Sequence, residues 1–366
     1  MEKKIMKVGI VGFGGVGENI ARCILKQADI KLKAIAEPDE AKRKKAEETY
    51  GLKAYADYRK LCEDKDIDVI YNATPNFMHP EVAITAMKSG KHVFSEKPFS
   101  IKKEDIAAML KAEKESRRYL QIDFEMRYSL LCKRVKELID AGEIGEPKNI
   151  LFNHFCGGQG FEKEKTWRAK IENIGGYYIE EGCHRIDIFR YYMGAEMEEV
   201  MAIPAPQVRG PEGWYRAYRE PASTLCFFPG EKLANLITIQ HRAVYFPPPG
   251  MENELGHEYN VSVVGSEGSL YTNFWKATIL LMDFSGPGGK TCLKRIESYR
   301  GIDLNVLHHN SCGFFRDFVY RMRDGKPPFF NAFDSWKTMA CAFACEESIK
   351  KGGKRVTVDY TLPEGQ

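Results

Sequence analysis

Short apolar runs rich in β-branched residues alternate with longer helical stretches over about the first 120 residues. The runs "KVGIVGF" (7–13), "KLKAIAE" (31–37), "DVIYNAT" (68–74) and "KHVFSEK" (91–97) predict strands. Between them, "GENIARCILKQ", "DEAKRKKAEETYG" and "HPEVAITAMKSG" repeat apolar residues at helical spacing, and Gly51 and Gly90 close two of them as C-caps. Strands that alternate with helices predict a parallel, doubly wound sheet, an α/β fold.

The pattern changes after "FEMRYSLLCKRVKELIDAGEIGEP", which predicts a helix ending near Gly142. The runs "PKNILFNHF", "ASTLCFF", "LANLITIQH", "YNVSVVGS" and "GSLYTNF" alternate apolar and polar residues between turns, which predicts a mostly antiparallel sheet carrying a few helices. "FFPGEKLANLITI" has the turn chemistry of a hairpin, and "SWKTMACAFACEESIKKGG" predicts a long helix apolar on a broad face. The proline-rich stretch "YFPPPGMENELG" at 245–256 reads as a stiff surface loop, a lid or an oligomer contact.

A chain of 366 residues is long enough for two domains. A net charge of +3 gives no reason to expect nucleic acid, and the basic run "AKRKK" at 41–45 is followed at once by "AEE", as on a solvated helix face. No apolar run approaches the roughly eighteen residues of a membrane span, and the N-terminus passes directly into a strand pattern, which predicts a cytoplasmic protein. The ten cysteines lie scattered from Cys23 to Cys345 with no Cys-x-x-Cys, so they are expected to be reduced and mostly buried. Cys341 and Cys345 share a helix face without a His or Cys cluster to complete a metal site, and no metal is expected.

Candidate chemistry begins at "GIVGFGGVGENI", where Gly12, Gly14 and Gly17 follow a strand and open a helix. Gly12 permits the tight turn, Gly14 lets the backbone approach a pyrophosphate, and Gly17 allows close helix packing. Glu37, twenty residues after Gly17, ends the second strand, where a carboxylate accepts from both ribose hydroxyls and repels a 2′-phosphate; NAD is favoured over NADP. "ATPNFMHPEVA" and "SEKPFS" leave the C-terminal ends of the next two strands, where ligands of an open α/β sheet bind, and Lys97 precedes a proline suited to a cis bond. In "GGYYIEEGCHRIDIF" (175–189) a continuous helix would put Glu180, His184 and Asp187 on one face, with Glu181 and Arg185 as a second pair; a solvated polar face is the alternative. His154 either points into a cleft or is a structural histidine. His241 is a weaker candidate, and His308 and His309 have capping or packing as their default, with a cleft position as the alternative. Tyr177 and Tyr178 either stack on a sugar or pack in the core.

These motifs, in this order and spacing, resemble the Gfo/Idh/MocA oxidoreductases, through "GFGGVG", "ATPNFMH", "EKPFS", "FEMRYS", "GEIGEP", "TWR", "GGYYIEEGCHRIDIFRYYMG", "VVGSEGSL" and "FFRDFVYRMRDGKPPFFNAFDSWKTM". The resemblance implies an N-terminal Rossmann dinucleotide-binding domain (1–122, with about 305–366 returning to it). A C-terminal α/β substrate domain (123–304) follows, with a large open, mostly antiparallel sheet that serves homo-oligomerisation. It assigns catalytic roles to Lys97 and His184, and places Glu180 where the family has an aspartate. Expected at the cofactor are Gly12, Phe13, Gly14, Gly15, Val16, Glu37, Thr74, Pro75, Asn76, His79, Glu96, Lys97, Arg127, Trp167 and Arg168. Expected at the substrate are Lys97, Arg127, His154, Tyr178, Glu180 and His184.

In that scheme His184, with an ordinary pKa near 6.5, takes a hydroxyl proton while hydride leaves the same carbon, and Lys97 stabilises the alkoxide. Glu180 binds a neighbouring hydroxyl or fixes the imidazole, and Asp187 anchors the helix. The expected activity is NAD-dependent oxidation of a ring hydroxyl of a sugar, glycoside or cyclic polyol. The alternatives are a glycoside-cleaving or eliminating enzyme that oxidises the ring transiently, and a non-catalytic NAD-binding regulator.

Overall fold

The computed structural model describes residues 4–156, 161–163, 166–206, 214–216, 221–239 and 257–363. Its first sheet is wholly parallel in the order β3-β2-β1-β4-β5-β6. The strands are β1 Met6–Val11, β2 Ile30–Ala36, β3 Lys53–Tyr55, β4 Val69–Asn72, β5 His92–Ser95 and β6 Leu120–Ile122. Four of them are the predicted ones. β3 and β6 are three-residue edge strands, too short to carry a readable period. Helices α1 Gly15–Ile24, α2 Glu40–Tyr50, α3 Tyr58–Glu63, α4 His79–Lys88 and α5 Lys103–Ser116 connect them. Gly51 takes the left-handed C-cap (φ 65°) that the sequence implies for α2.

A 3-10 turn, Glu125–Tyr128, and α6 Leu130–Asp140, capped by the Ser129 side chain, lead into the second sheet. That sheet has nine strands in the order β16-β15-β14-β13-β7-β12-β11-β9-β17. Its strands are β7 Pro147–Cys156, β9 Glu199–Pro204, β11 Pro221–Phe228, β12 Lys232–Ile239, β13 His257–Gly265, β14 Gly268–Asn273, β15 Thr278–Gly286, β16 Lys290–Ser298 and β17 Val356–Thr357, while β8 Phe161–Lys163 and β10 Trp214–Arg216 pair separately. Every pairing in it is antiparallel except β7 with β12.

The stretch expected as one helix over 175–189 divides. Tyr178–Gly182 is a π-helical turn, and α7, Cys183–Met193, follows it. Glu180, in the π turn, pairs with Asn76 and Arg168, while His184, in α7, lies beside Glu125. The returning segment also divides its packing. Helix α8 (Ser311–Arg323) lays Phe314, Phe315 and Phe318 on Phe94 and Tyr71 of the first sheet. Helix α9 (Ala332–Lys350) packs on β9 and α7, and β17 extends the second sheet.

The cysteine expectation is corrected at one pair, because Cys23 of α1 and Cys312 of α8 are joined in a disulfide. Of the seven free cysteines among the described residues, Cys292 is exposed and the rest are buried. Among the described residues no helix is long and apolar enough to cross a membrane, and no acidic, His or Cys cluster could hold a metal ion.

Candidate active site

A cavity of about 1620 Å³ runs from the glycine turn to the start of α7. Small-molecule pockets are usually about 300–1,000 Å³, so this one has room for a dinucleotide and a second ligand. At its first end Gly12 has φ +87°, and a Cβ there would lie 2.6 Å from the Ala73 carbonyl oxygen. A Cβ on Gly17 would lie 2.0 Å from the Gly12 carbonyl oxygen, so neither position admits a side chain. Around Gly14 and Gly15 the space is open, and with Val16 they line the cavity at the N-terminus of α1. Unpaired amides there suit a pyrophosphate.

Phe13 acts differently from its glycine neighbours. Its ring is buried beside Tyr50, it does not line the cavity, and its N–H donates to Glu37 Oε2 at 2.7 Å. The Asp39 N–H donates to the other Glu37 oxygen at 3.2 Å, which fixes the carboxylate at the adenosine end. The basic run beside it is engaged: Lys42 lies 3.8 Å from Glu37, Arg43 donates to the Glu37 and Pro38 carbonyls, and Lys45 pairs with Glu18. These contacts leave the carboxylate as the group facing the ribose.

At the far end Thr74, Pro75, Asn76, His79, Glu96 and Lys97 line the cavity from the ends of β4 and β5. The Lys97–Pro98 bond is cis. His79, buried, ties the two turns together through the carbonyls of Pro98 (2.8 Å) and Thr74 (3.0 Å). Lys97 Nζ donates to the Glu180 carbonyl at 2.7 Å, where the π turn loosens the helical ladder. Burial opposes the Lys97 charge, but the carboxylates of Glu180 and Glu181 outweigh it and hold its pKa above the ordinary lysine value. The Glu180 carboxylate accepts from Asn76 and lies 3.2 Å from Arg168, which covers Trp167 at the cavity wall. Glu180 therefore braces the substrate end of the cavity from behind its lining.

The His184 partner is Glu125, whose Oε2 lies 3.4 Å from Nδ1. Burial, stronger than the pull of Glu125, pushes the His184 imidazole down to about 3. The expectation of an ordinary histidine near neutrality is corrected: burial holds the imidazole uncharged, and the same shift makes it a weaker base than a free histidine. Behind it, Tyr71 donates to Glu96 at 2.6 Å and to Asp123 at 3.3 Å, and burial pushes Glu96 up to about 7.

Four other expected residues lie outside the cavity lining, Glu180 behind Asn76 and Arg168 and three more elsewhere. Arg127 makes two hydrogen bonds of 2.6 Å to Asp187, reaches Asp334 at 2.7 Å and packs on Phe330, which makes it a structural clamp. Tyr178 is buried with its hydroxyl against Thr224, so the core reading holds. His154 sits one residue behind the wall, 3.0 Å from the Arg185 guanidinium. Asp187 anchors α7 as expected, through Arg127 and Thr338, and Glu181 pairs with Arg185. His308 binds the Phe274 carbonyl. His241 and the loop at 245–256 lie outside the described residues. Sequence reasoning missed Glu125, Glu181 and Arg185 as cavity residues and gave His309 a default packing role. No local spacing announces Glu125, whose partners are 59 and 184 residues away (184 − 125 and 309 − 125).

Residues 6–124 match the family model described as an oxidoreductase family with an NAD-binding Rossmann fold, and residues 136–358 match its C-terminal alpha/beta domain. A myo-inositol 2-dehydrogenase of Thermotoga maritima is 27% identical over 94% of this chain and 97% of its own. The scyllo-inositol 2-dehydrogenase (NAD(+)) of Bacillus subtilis is 24% identical over 96% of both chains. A levoglucosan dehydrogenase solved with NADH superposes with a TM-score of 0.81 at 21% identity, covering 97% of this chain and 99% of that one. The glycine cradle, the Glu37 carboxylate and the full-length match agree: the chain belongs to the Gfo/Idh/MocA family of oxidoreductases and carries its NAD-binding Rossmann fold.

Proposed function

We propose that this protein is an NAD-dependent dehydrogenase that oxidises a ring hydroxyl of a sugar, glycoside or cyclic polyol to a ketone. The observation that carries the reading is the pairing of an uncharged, buried His184 with a charged Lys97 in one cavity, opposite a dinucleotide cradle. His184 takes the hydroxyl proton, Lys97 holds the oxygen as it becomes an alkoxide, and hydride passes from the same carbon to the nicotinamide. Asn76 and Arg168, both held from behind by Glu180, form a polar wall that suits a substrate with further hydroxyls. The inositol and levoglucosan dehydrogenases among its relatives act on rings of this kind. A second copy of the chain at the open sheet is part of the same reading, supported by the exposed Leu293 and Ile296 on β16.

NADH formation from NAD with a panel of inositols, free sugars and glucosides tests it. His184→Ala and Lys97→Ala are each expected to lower kcat by on the order of 10²–10⁴-fold. Tight NAD binding with no net NADH from any of these substrates would replace it with the transient-oxidation or regulator reading.

A further inference from the structure

We infer that Glu125 and His309 carry the proton that His184 takes from substrate out to solvent. The inference rests on the dehydrogenase reading above. It begins from His184 Nδ1, a buried atom with no hydrogen-bond partner in the structure, 3.4 Å from Glu125 Oε2. The other oxygen of the same carboxylate, Oε1, accepts a hydrogen bond from His309 Nδ1 at 2.5 Å. His184 is 7% exposed and His309 49%. One carboxylate thus bridges a buried imidazole to a half-exposed one farther along the wall of the same cavity. The three residues come from three elements: α7, the 3-10 turn after β6, and the segment before α8.

Such an exit answers a geometric problem. His184 lies where bound nicotinamide and substrate would shut out water, whereas His309 lies on a more exposed part of the same cavity wall. The remaining nitrogen of His184 points at Glu125. The proton balance is complete along this path. The substrate O–H bond breaks and its proton goes to His184 Nε2, while the C–H electron pair leaves as hydride and reduces NAD to NADH. The imidazolium gives its Nδ1 proton to Glu125 Oε2. His309, reached by water, shifts its single proton from Nδ1 to Nε2 through solvent; the carboxyl group then turns about Cγ–Cδ and passes its proton to the bare Nδ1, and the Nε2 proton leaves to water, which restores the Nδ1–H donor of the structure.

The surrounding charges keep the proton from resting on His184. Lys97 and Arg185 both disfavour a lasting imidazolium at His184. Glu96 and Asp123 face Glu125 from behind, and burial pushes both of their pKa values up, towards the neutral acid. Burial would raise Glu125 too, but His184 and the His309 hydrogen bond outweigh it and bring it down to about 2, which leaves it the ionised member of the cluster. A buried charge of this kind is costly as a structural device and reasonable as a proton carrier.

Glu125 and His309 are positioning and relay groups, and their test uses the NAD-loaded full chain. Glu125→Gln is expected to lower kcat on the order of 100-fold with KM for NAD within about twofold, and Glu125→Asp to recover part of the loss. Its acid limb should move to lower pH, because losing the nearby negative charge makes the His184 imidazolium harder to form. His309→Ala, at an exposed position, should lose roughly tenfold in kcat and regain it as imidazole is added to the buffer. Wild-type kcat in His309→Ala with no response to imidazole would overturn the relay while leaving the dehydrogenase reading intact. Nitrogen NMR titration of the histidines separates the two failures. If the wild type makes no NADH from any polyol or sugar, an altered His184 titration in Glu125→Gln still supports the link, and an unaltered one ends it.

Discussion

The two sheets bury their residues in opposite styles. β4 of the first sheet is buried at all four positions, because helices cover both faces of a parallel sheet. β14 of the second alternates buried and half-buried residues along its six positions, as an antiparallel sheet does when one face is left open. The functional groups follow the same division. The dinucleotide cradle is built from residues close in sequence, with Glu37 the most distant contributor. The chemistry at the far end comes from residues 83, 104 and 184 positions apart: Lys97 with Glu180, Asn76 with Glu180, Glu125 with His309. Local turns make the cofactor site, and long-range packing makes the catalytic one.

The largest effect expected from breaking this contrast is at Arg127, which ties the turn after the first sheet to α7 and α9. Arg127→Ala would leave Asp187, 1% exposed, without its main cation. Removing one partner of a buried pair costs about 3–5 kcal/mol, and here the loss should appear as a lower thermal midpoint with little change in NAD affinity per folded molecule. Asp187→Asn in the same chain should recover part of it, since the uncompensated carboxylate is the source of the cost. Equal stability in Arg127→Ala and the wild type would mean that the two halves hold together without the clamp.

A smaller and more local effect is expected at Glu37. Glu37→Gln keeps an oxygen for the Phe13 N–H and removes the charge that faces the ribose. Calorimetric titration should show NAD affinity falling roughly fivefold to tenfold, the difference between charged and neutral hydrogen bonds, while NADP affinity holds or rises. A parallel fall for both cofactors would show that Glu37 only shapes the turn.

What was legible in the sequence follows the same line. The four interior or near-interior strands of the first sheet and the roles of Gly12, Gly14 and Gly17 could be read because each depends on neighbours a few residues away. Lys97 and His184 needed the resemblance, since a lysine after a strand or a histidine on a helix is ordinary alone. The Glu180 partners, Asn76 and Arg168, were hidden because they come from distant segments, and the Arg127 clamp because a buried clamp and a ligand-binding arginine look alike in sequence. Glu125 was quoted for its neighbours and passed over. Its meaning lies in two histidines from distant segments, and no local pattern encodes that meeting. The parallel pairing of β7 with β12, inside a sheet that reads as antiparallel throughout, was hidden for the same reason.

The smallest stability effect tests the open face of the second sheet. β16 is its terminal strand, and Leu293 and Ile296 there are 56% and 57% exposed, whereas Leu281 on the adjacent β15 is 1% exposed. An exposed apolar edge strand is a site where chains pair unless charge protects it, and Lys290, Lys294 and Arg295 supply only part of that protection. Leu293→Lys should therefore change the unfolding free energy of the single chain by less than about 0.5 kcal/mol, since the side chain loses almost no burial. The assembled mass measured by light scattering should fall at the same time, because a second copy would have covered that leucine. A mass equal to that of the wild type would remove β16 from any contact between copies and leave its apolar residues as ordinary surface.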